Sequence, residues 1–253
     1  MKNLSSERIN ETRFNKNGLE MCIIEYTNER NIIVKFLSSG RTVSSRYSHF
    51  LDGSIKDRYA NFVFGKGYIG IGKYKSSNNK KTTKMFNAWK GMLRRSYDNS
   101  EKENPSYLGC SVAEEWHNFQ NFGKWYDENY YEVDNEEMTL DKDILVKGNK
   151  IYSSKTCIFV PKNINMLFTQ KRRFRGNYPI GVHFHKQNKK YIAQCNKNSK
   201  EIYLGCFVTP ELAFNTYKIY KENLIKQIAD QYKDKIPQKL YDSMYKYIVE
   251  IND

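Results

Sequence analysis

The chain has 253 residues, 39% of them hydrophobic and 15% aromatic, and 42 Lys or Arg against 28 Asp or Glu leave a net charge of +14. Packed cores in one large or two to three small domains fit this composition, and the charge points to a polyanionic partner. No run approaches the ~18 apolar residues of a membrane span, residues 1–14 have no apolar leader core, and five scattered cysteines lack a CxxC pair and so give no zinc spacing. The expectation is a cytoplasmic protein with reduced thiols. Charge is unevenly placed: +11 over residues 1–100, −9 over 101–143, +4 over 144–168 and +8 over 169–253.

Residues 1–75 predict a β-rich N-terminal domain. MCIIEYT and NIIVKFL are apolar runs joined by a turn at 28–30, and GRTVSSRY follows a turn at 38–40. GKGYIGIGKY alternates glycine with larger residues, which predicts closely approaching strands in a barrel or curled sheet. It is no dinucleotide fingerprint, because no helix follows and no acidic residue stands at the right distance. Lys35, Arg41, Arg46, Lys66 and Lys73 either keep this domain solvated or form a second DNA contact surface. SSNNKK at 76–81 reads as a linker.

In residues 82–168, Met85, Trp89, Met92 and Leu93 recur at helical spacing. A second helix is predicted from residue 111 to about 130, with Trp116, Phe119, Phe122, Trp125 and Tyr126 as core rather than a base-stacking platform. LDKDILVKGNKIYSSKTCIFVPKNINMLF then resembles the corresponding segment of phage and homing HNH endonucleases. The upstream WKGMLRRSY, SYLGCSV and EEWHNFQNF resemble what precedes it there, so the likeness spans about 85–168. The resemblance implies a histidine that activates water and His, Asn or Asp residues that hold one divalent metal at the scissile phosphate. Lys142 occupies the position of that histidine. Asp141 and Asp143 remain as candidate catalytic residues and Mg²⁺ ligands, Asn149, Asn163 and Asn165 as residues that orient or ligate, and His117 as a substitute base if the fold brings it near. If nuclease chemistry is lost, the segment serves as scaffold or grips phosphate through Lys142, Lys147 and Lys150.

Residues 169–200 hold nine Lys or Arg and no Asp or Glu. KRRFRGN, with Lys171, Arg172, Arg173 and Arg175, reads as an arm that tracks a DNA backbone or enters a minor groove. Three strands are predicted at 181–185, 190–196 and 201–207, separated by polar turns. Thr209 is an N-cap and Pro210 a first helical residue; Leu212, Ala213, Thr216, Tyr217 and Tyr220 then recur at helical spacing. With a side-chain period of two, Tyr191, Ala193 and Cys195 face the helix while Ile192, Gln194 and Asn196 face outward. Lys186, Lys189, Lys190, Lys197 and Lys200 frame that outer face, which suits a sheet that reads a DNA groove, amides on base edges and lysines on phosphates. The other reading is a structural cap whose lysines keep it soluble. Beyond it the helical pattern continues to Tyr232 and Pro237 breaks it. Leu240, Met244, Tyr247, Ile248 and Ile251 predict a last amphipathic helix packed on the same module or at a dimer contact.

Gly181-Val182, Lys190-Tyr191 with Ala193, and Leu204-Gly205 with Phe207, Thr209, Glu211, Ala213 and Tyr217 resemble the three-stranded DNA-binding domain of plant ethylene-response factors, the AP-two domain, which also occurs in phage and homing-endonuclease proteins. Carried over by position, the family's base- and phosphate-contacting residues fall on His183, His185, Gln194, Asn196 and Tyr203. His183 and His185 stand where the family usually has arginine, and Glu201 stands at another usually basic position. The resemblance then implies weaker or more pH-dependent phosphate affinity and no assured G·C-rich target.

The fold class expected is α+β: a β-rich N-terminal domain (1–75), an HNH-like mixed domain (82–168) and a C-terminal three-stranded antiparallel sheet packed on a helix (178–253). The function expected is double-stranded DNA binding by a phage-type protein derived from homing-endonuclease parts, in a phage-infected or prophage-bearing bacterial host, without nuclease activity and with no cofactor needed for binding. One alternative is an HNH-like endonuclease using Mg²⁺ or Mn²⁺. A third reading is an anti-defence protein whose basic surfaces grip a host nucleoprotein complex, with mimicry of nucleic acid confined to the acidic block 101–143.

Overall fold

A computed structural model describes residues 7–98, 100, 107–169, 178–197, 200–251 and 253. It is a mixed α+β fold. The chain forms two units, one of Met1–Phe86 with Glu114–Phe122 and one of Asn87–Ala113 with Gly123–Asp253. Most of the segment expected as a middle domain, 87–113 and 123–168, lies in the second unit with the C-terminal segment, while 82–86 and 114–122 lie in the first.

In the first unit, β1 (Thr12–Phe14), β2 (Glu20–Asn28), β3 (Asn31–Phe36) and β4 (Thr42–Ser45) form an antiparallel sheet in sequence order, open rather than closed into a barrel. Alternation buries Met21 and Ile23 of β2 and Ile32, Val34 and Phe36 of β3 on one face, together with Phe50 of the short helix α1 (Tyr47–Leu51) and Ile55. Burial of each such side chain favours the fold by roughly 1.5–3 kcal/mol over exposure.

Two expectations fail here for reasons outside local pattern. Residues 65–74 form no strand beyond two isolated bridges, Gly67 with Val63 and Tyr68 with Asn118; they are held also by amides from another part of the unit. Gln120 donates to the carbonyls of Ile69 (3.1 Å) and Tyr74 (3.0 Å) and accepts from the Tyr74 N–H (3.0 Å), as a partner strand would. Residues 76–81 are not a linker. Ser77–Asn78 (β5) and Lys81–Thr82 (β6) make a hairpin whose two turn residues, Asn79 and Lys80, both have positive φ, 46° and 63°, the turn that matches strand twist.

Helix α2 (Lys84–Tyr97) buries Trp89, Met92 and Leu93 as their spacing predicts. The second helix starts later than expected: Ser111–Val112 is a short strand, β7, paired in parallel with β9 (Ile151–Tyr152), and a 3-10 turn (Glu114–His117) precedes α3 (Phe119–Asn129). The Asn118 side chain accepts from the Gln120 N–H (3.0 Å) and so marks the delayed start. Trp116, Phe119, Phe122, Trp125 and Tyr126 are core residues, as expected.

In the second unit, β8 (Met138–Asp141) pairs antiparallel with β10 (Ile158–Pro161), which runs directly into α4 (Lys162–Phe168). Further along the chain, β11 (Val182–His185), β12 (Lys190–Lys197) and β13 (Lys200–Phe207) form the antiparallel sheet, followed by α5 (Pro210–Gln231) and α6 (Gln238–Tyr245). Thr209 caps α5, its hydroxyl accepting from the Leu212 N–H (3.3 Å), and Pro210 opens it. The first half of α5 packs Ala213, Phe214 and Tyr217 under the sheet against Val182, Ala193 and Cys195. The second half buries Ile225 and Ala229 with Val133, Ile144, Ile158 and Val160. The last helix is shorter than its apolar pattern and joins this second core through Leu240 and Met244; Tyr247, Ile248 and Ile251 lie beyond it, and Tyr247 packs against both this core and that of the sheet module. Among the described residues no helix is long and apolar enough to cross a membrane.

Candidate nucleic-acid interface

The sheet module separates its faces as a period of two requires. Ala193 is 0% and Cys195 3% exposed against α5, while Asn196 is exposed and Tyr203 is 64% exposed on the opposite face. Register sets outward residues in rows across the strands: His185 beside Lys190, then His183, Ile192 and Cys206, then Gln194 with Tyr203, then Asn196 with Glu201. A bulge on β13 near Leu204 lets Leu204 turn into the core while Tyr203 keeps its outward place. Two glycines permit this packing. At Gly181, with φ +75°, a Cβ would be driven into the Tyr217 ring; at Gly205, with φ +139°, it would meet the Phe207 ring at 2.9 Å.

His185 has one local bond, its Nδ1 accepting from the Asn188 N–H (3.3 Å). Among the described residues, no side-chain hydrogen bond holds His183, Gln194, Asn196 or Tyr203. Lys186, Lys189 and Lys190 are exposed at one end of the sheet, Lys197 and Lys200 at the other. Lys171, Arg172, Arg173 and Arg175 lie outside the described residues.

The loop after β8 is the opposite case. Asp141 accepts from the backbone N–H groups of Asp143 (2.9 Å) and Ile144 (2.7 Å) through one carboxylate oxygen. Burial, then the neighbouring Asp143 carboxylate, pushes its pKa up to about 6 despite those bonds and Lys142. Lys142 is 5% exposed, its ammonium 3.0 Å from Asp143 and 5.7 Å from the centre of the Tyr152 ring. Burial works against its charge, yet Asp143 outweighs that and holds it above the usual lysine range, so it stays protonated. Arg95 of α2 donates to the Tyr152 hydroxyl (2.9 Å) and adds a second cation to this cluster. Burial raises the Tyr152 phenol to about 12 against the pull of Arg95 and Lys142.

Asn149 donates to the carbonyls of Lys142 (2.7 Å) and Ile151 (2.8 Å) and accepts from the Ile151 N–H (3.3 Å), which closes the loop. Asp141, Asp143 and Asn149 are thus turned to backbone groups and a lysine rather than converging on one point. Among the described residues no group of three His, Cys, Asp or Glu side chains is placed to hold a metal ion. His117 belongs to the first unit, where burial and then Lys66 lower its pKa. Asn163 donates to Glu136 (2.9 Å), while the Asn165 carbonyl accepts from Thr169 (3.2 Å).

Of Lys142, Lys147 and Lys150, which the alternative to a scaffold role would place on phosphate, Lys150 is exposed and the other two are engaged within the unit. Lys142 is buried, and Lys147 bonds Asp253 (2.8 Å) and the Ile248 carbonyl (2.8 Å). Several acids of the 101–143 block have partners inside the unit: Asp134 pairs with Lys235 (2.9 Å), Glu137 with Lys162 (2.6 Å) and Glu136 with Tyr232.

Sequence reasoning missed Cys206 as part of the outer face, although its strand parity gives that orientation once the bulge is known. It also missed Arg95 and Tyr152 as partners of the 141–143 loop, since each comes from a distant element. The chain matches no family model, no curated protein and no solved structure with which it was compared.

Proposed function

We propose that this protein binds double-stranded DNA through the outer face of β11–β13, as a phage-type protein built from homing-endonuclease parts and without nuclease chemistry of its own. The observation that carries the reading is that face itself: imidazole, amide and phenol groups with few bonds inside the molecule, and exposed lysines at both ends. Polar groups that can reach base edges specify, and lysines on phosphates position. Three strands about 4.8 Å apart span roughly 10 Å, comparable with the ~12 Å major groove. The absence of cleavage is supported by Lys142, protonated and ion-paired where the resembling enzymes place a base, and by Asn149, whose amide closes its own loop.

Titration of a fluorescent duplex with the full chain tests the binding. Affinity should fall steeply with added salt, log K losing about 0.9 per decade of salt for each phosphate neutralised. No binding to any duplex at moderate salt overturns the reading, and recovery of the chain only with a host nucleoprotein complex turns it to the anti-defence alternative. Supercoiled plasmid with Mg²⁺ or Mn²⁺ should stay intact; cleavage abolished by Asp141→Ala would establish the endonuclease instead.

A further inference from the structure

The major groove presents each base pair by a different pattern, and side chains match it by geometry. Guanine, with two acceptors, is read best by Arg or Lys; adenine, with an acceptor beside a donor, by the Asn or Gln amide; thymine offers a methyl group to apolar contact. The sheet module from Tyr178 onward contains no arginine. Its lysines stand at the ends of the sheet, and the two middle rows hold His183, Ile192 and Cys206, then Gln194 and Tyr203.

We propose that these two rows select duplex with A·T pairs at its centre, Gln194 taking an adenine edge and Ile192 and Tyr203 lying against thymine methyl groups. The inference rests on the DNA-binding reading above. With strands along the groove, successive rows stand about 7 Å apart, or two steps at 3.4 Å per base pair, so the two middle rows cover a core of about four pairs. The imidazole of His183 can reach the N7 of either purine and does not discriminate between them. Glu201, in the last row, is an acceptor suited to the cytosine amine and allows a C·G pair at one flank.

The test is an affinity comparison at one salt concentration between two duplexes of equal length and flanks, with four A·T or four G·C pairs at the centre. The full chain should bind the A·T core about tenfold or more tightly, the discrimination of one good bidentate pair. Replacing the core adenines by 7-deazaadenine, which lacks the N7 acceptor, should remove most of the advantage, leaving the share held by the thymine contacts. Gln194→Ala should cut the A·T advantage to the smaller share held by the thymine contacts, Gln194→Arg should move the preference toward G·C, and Tyr203→Ala should take away part of that smaller share. Salt-sensitive binding with equal affinities or a G·C preference overturns this inference and leaves the DNA-binding reading standing. So does an A·T preference left undiminished by 7-deazaadenine or by Gln194→Ala. Failure to bind either duplex overturns both.

Discussion

The outer face of β11–β13 and the loop from Asp141 to Asn149 draw on similar chemistry, amides, carboxylates and lysines, and use it in opposite ways. In the loop each group meets another: Lys142 meets Asp143, Asp141 meets two backbone N–H groups, and Asn149 meets two carbonyls. On the sheet, Gln194, Asn196 and Tyr203 point to solvent and no described side chain answers them. A polar group already satisfied stabilises the fold, and one that is not must be satisfied by water or a partner. The candidate catalytic residues of the loop are therefore bonded within the fold, and the candidate reading residues of the sheet are left to solvent.

The largest effect should come from Gly181→Ala, which combines a positive φ with a clash against the Tyr217 ring. A loss of about 3 kcal/mol or more is expected in urea denaturation, and duplex binding should go with it. If the variant is as stable as the wild type, the sheet is not packed on α5 as described.

Next is the pH dependence set by Asp141. In the folded protein its carboxyl holds a proton up to about 6, whereas its ordinary value is 3.8. The native state therefore binds the extra proton between those values. The stabilisation is fully present below pH 3.8 and is lost as pH rises to about 6, at most about 3 kcal/mol. Asp141→Asn keeps an acceptor for the two N–H groups and should flatten this slope and raise stability at pH 7, as read by thermal melts across pH 4–7.

Lys142→Met should cost about 2 kcal/mol in the same denaturation assay. That is less than the ~3–5 kcal/mol of a wholly buried pair, because Asp143 keeps 44% of its side chain in solvent. Lys142→His, which restores the residue type of the resembling nucleases, should leave supercoiled plasmid uncut with Mg²⁺ or Mn²⁺, since Asn149 and Asp141 remain turned to the backbone. Cleavage by that variant would erase the contrast between the two regions.

The smallest effect belongs to the frame. Lys200→Ala should weaken binding a few-fold for every sequence alike and lower the salt slope by about 1, without touching base preference.

What was legible in the sequence follows from how local each cause is. Alternation along β12, the Thr209-Pro210 start of α5 and the outward place of Gln194 depend on neighbours within a few residues, and the structure has them as expected. The 66–74 segment looked like strand because glycine alternates there, yet its shape is fixed by Gln120. The last helix took its place from a core supplied by Ile144, Ile158 and Val160, which no pattern in residues 238–251 announces. The Lys142–Asp143 pair joins chain neighbours, but the cluster around it was not legible, because Tyr152 and Arg95 arrive from β9 and α2.

Helix α5 is 22 residues, or about 33 Å at 1.5 Å per residue. Its two halves are cemented into different walls, so the three ribbons are no bead on a string. A fragment trimmed to residues 178–253 would carry Ile225, Ala229, Leu240 and Met244 naked into water and should precipitate or dimerise. Any duplex gripped by the sheet is consequently held at a fixed bearing to the β8–β10 pair, as a tool is held by its handle.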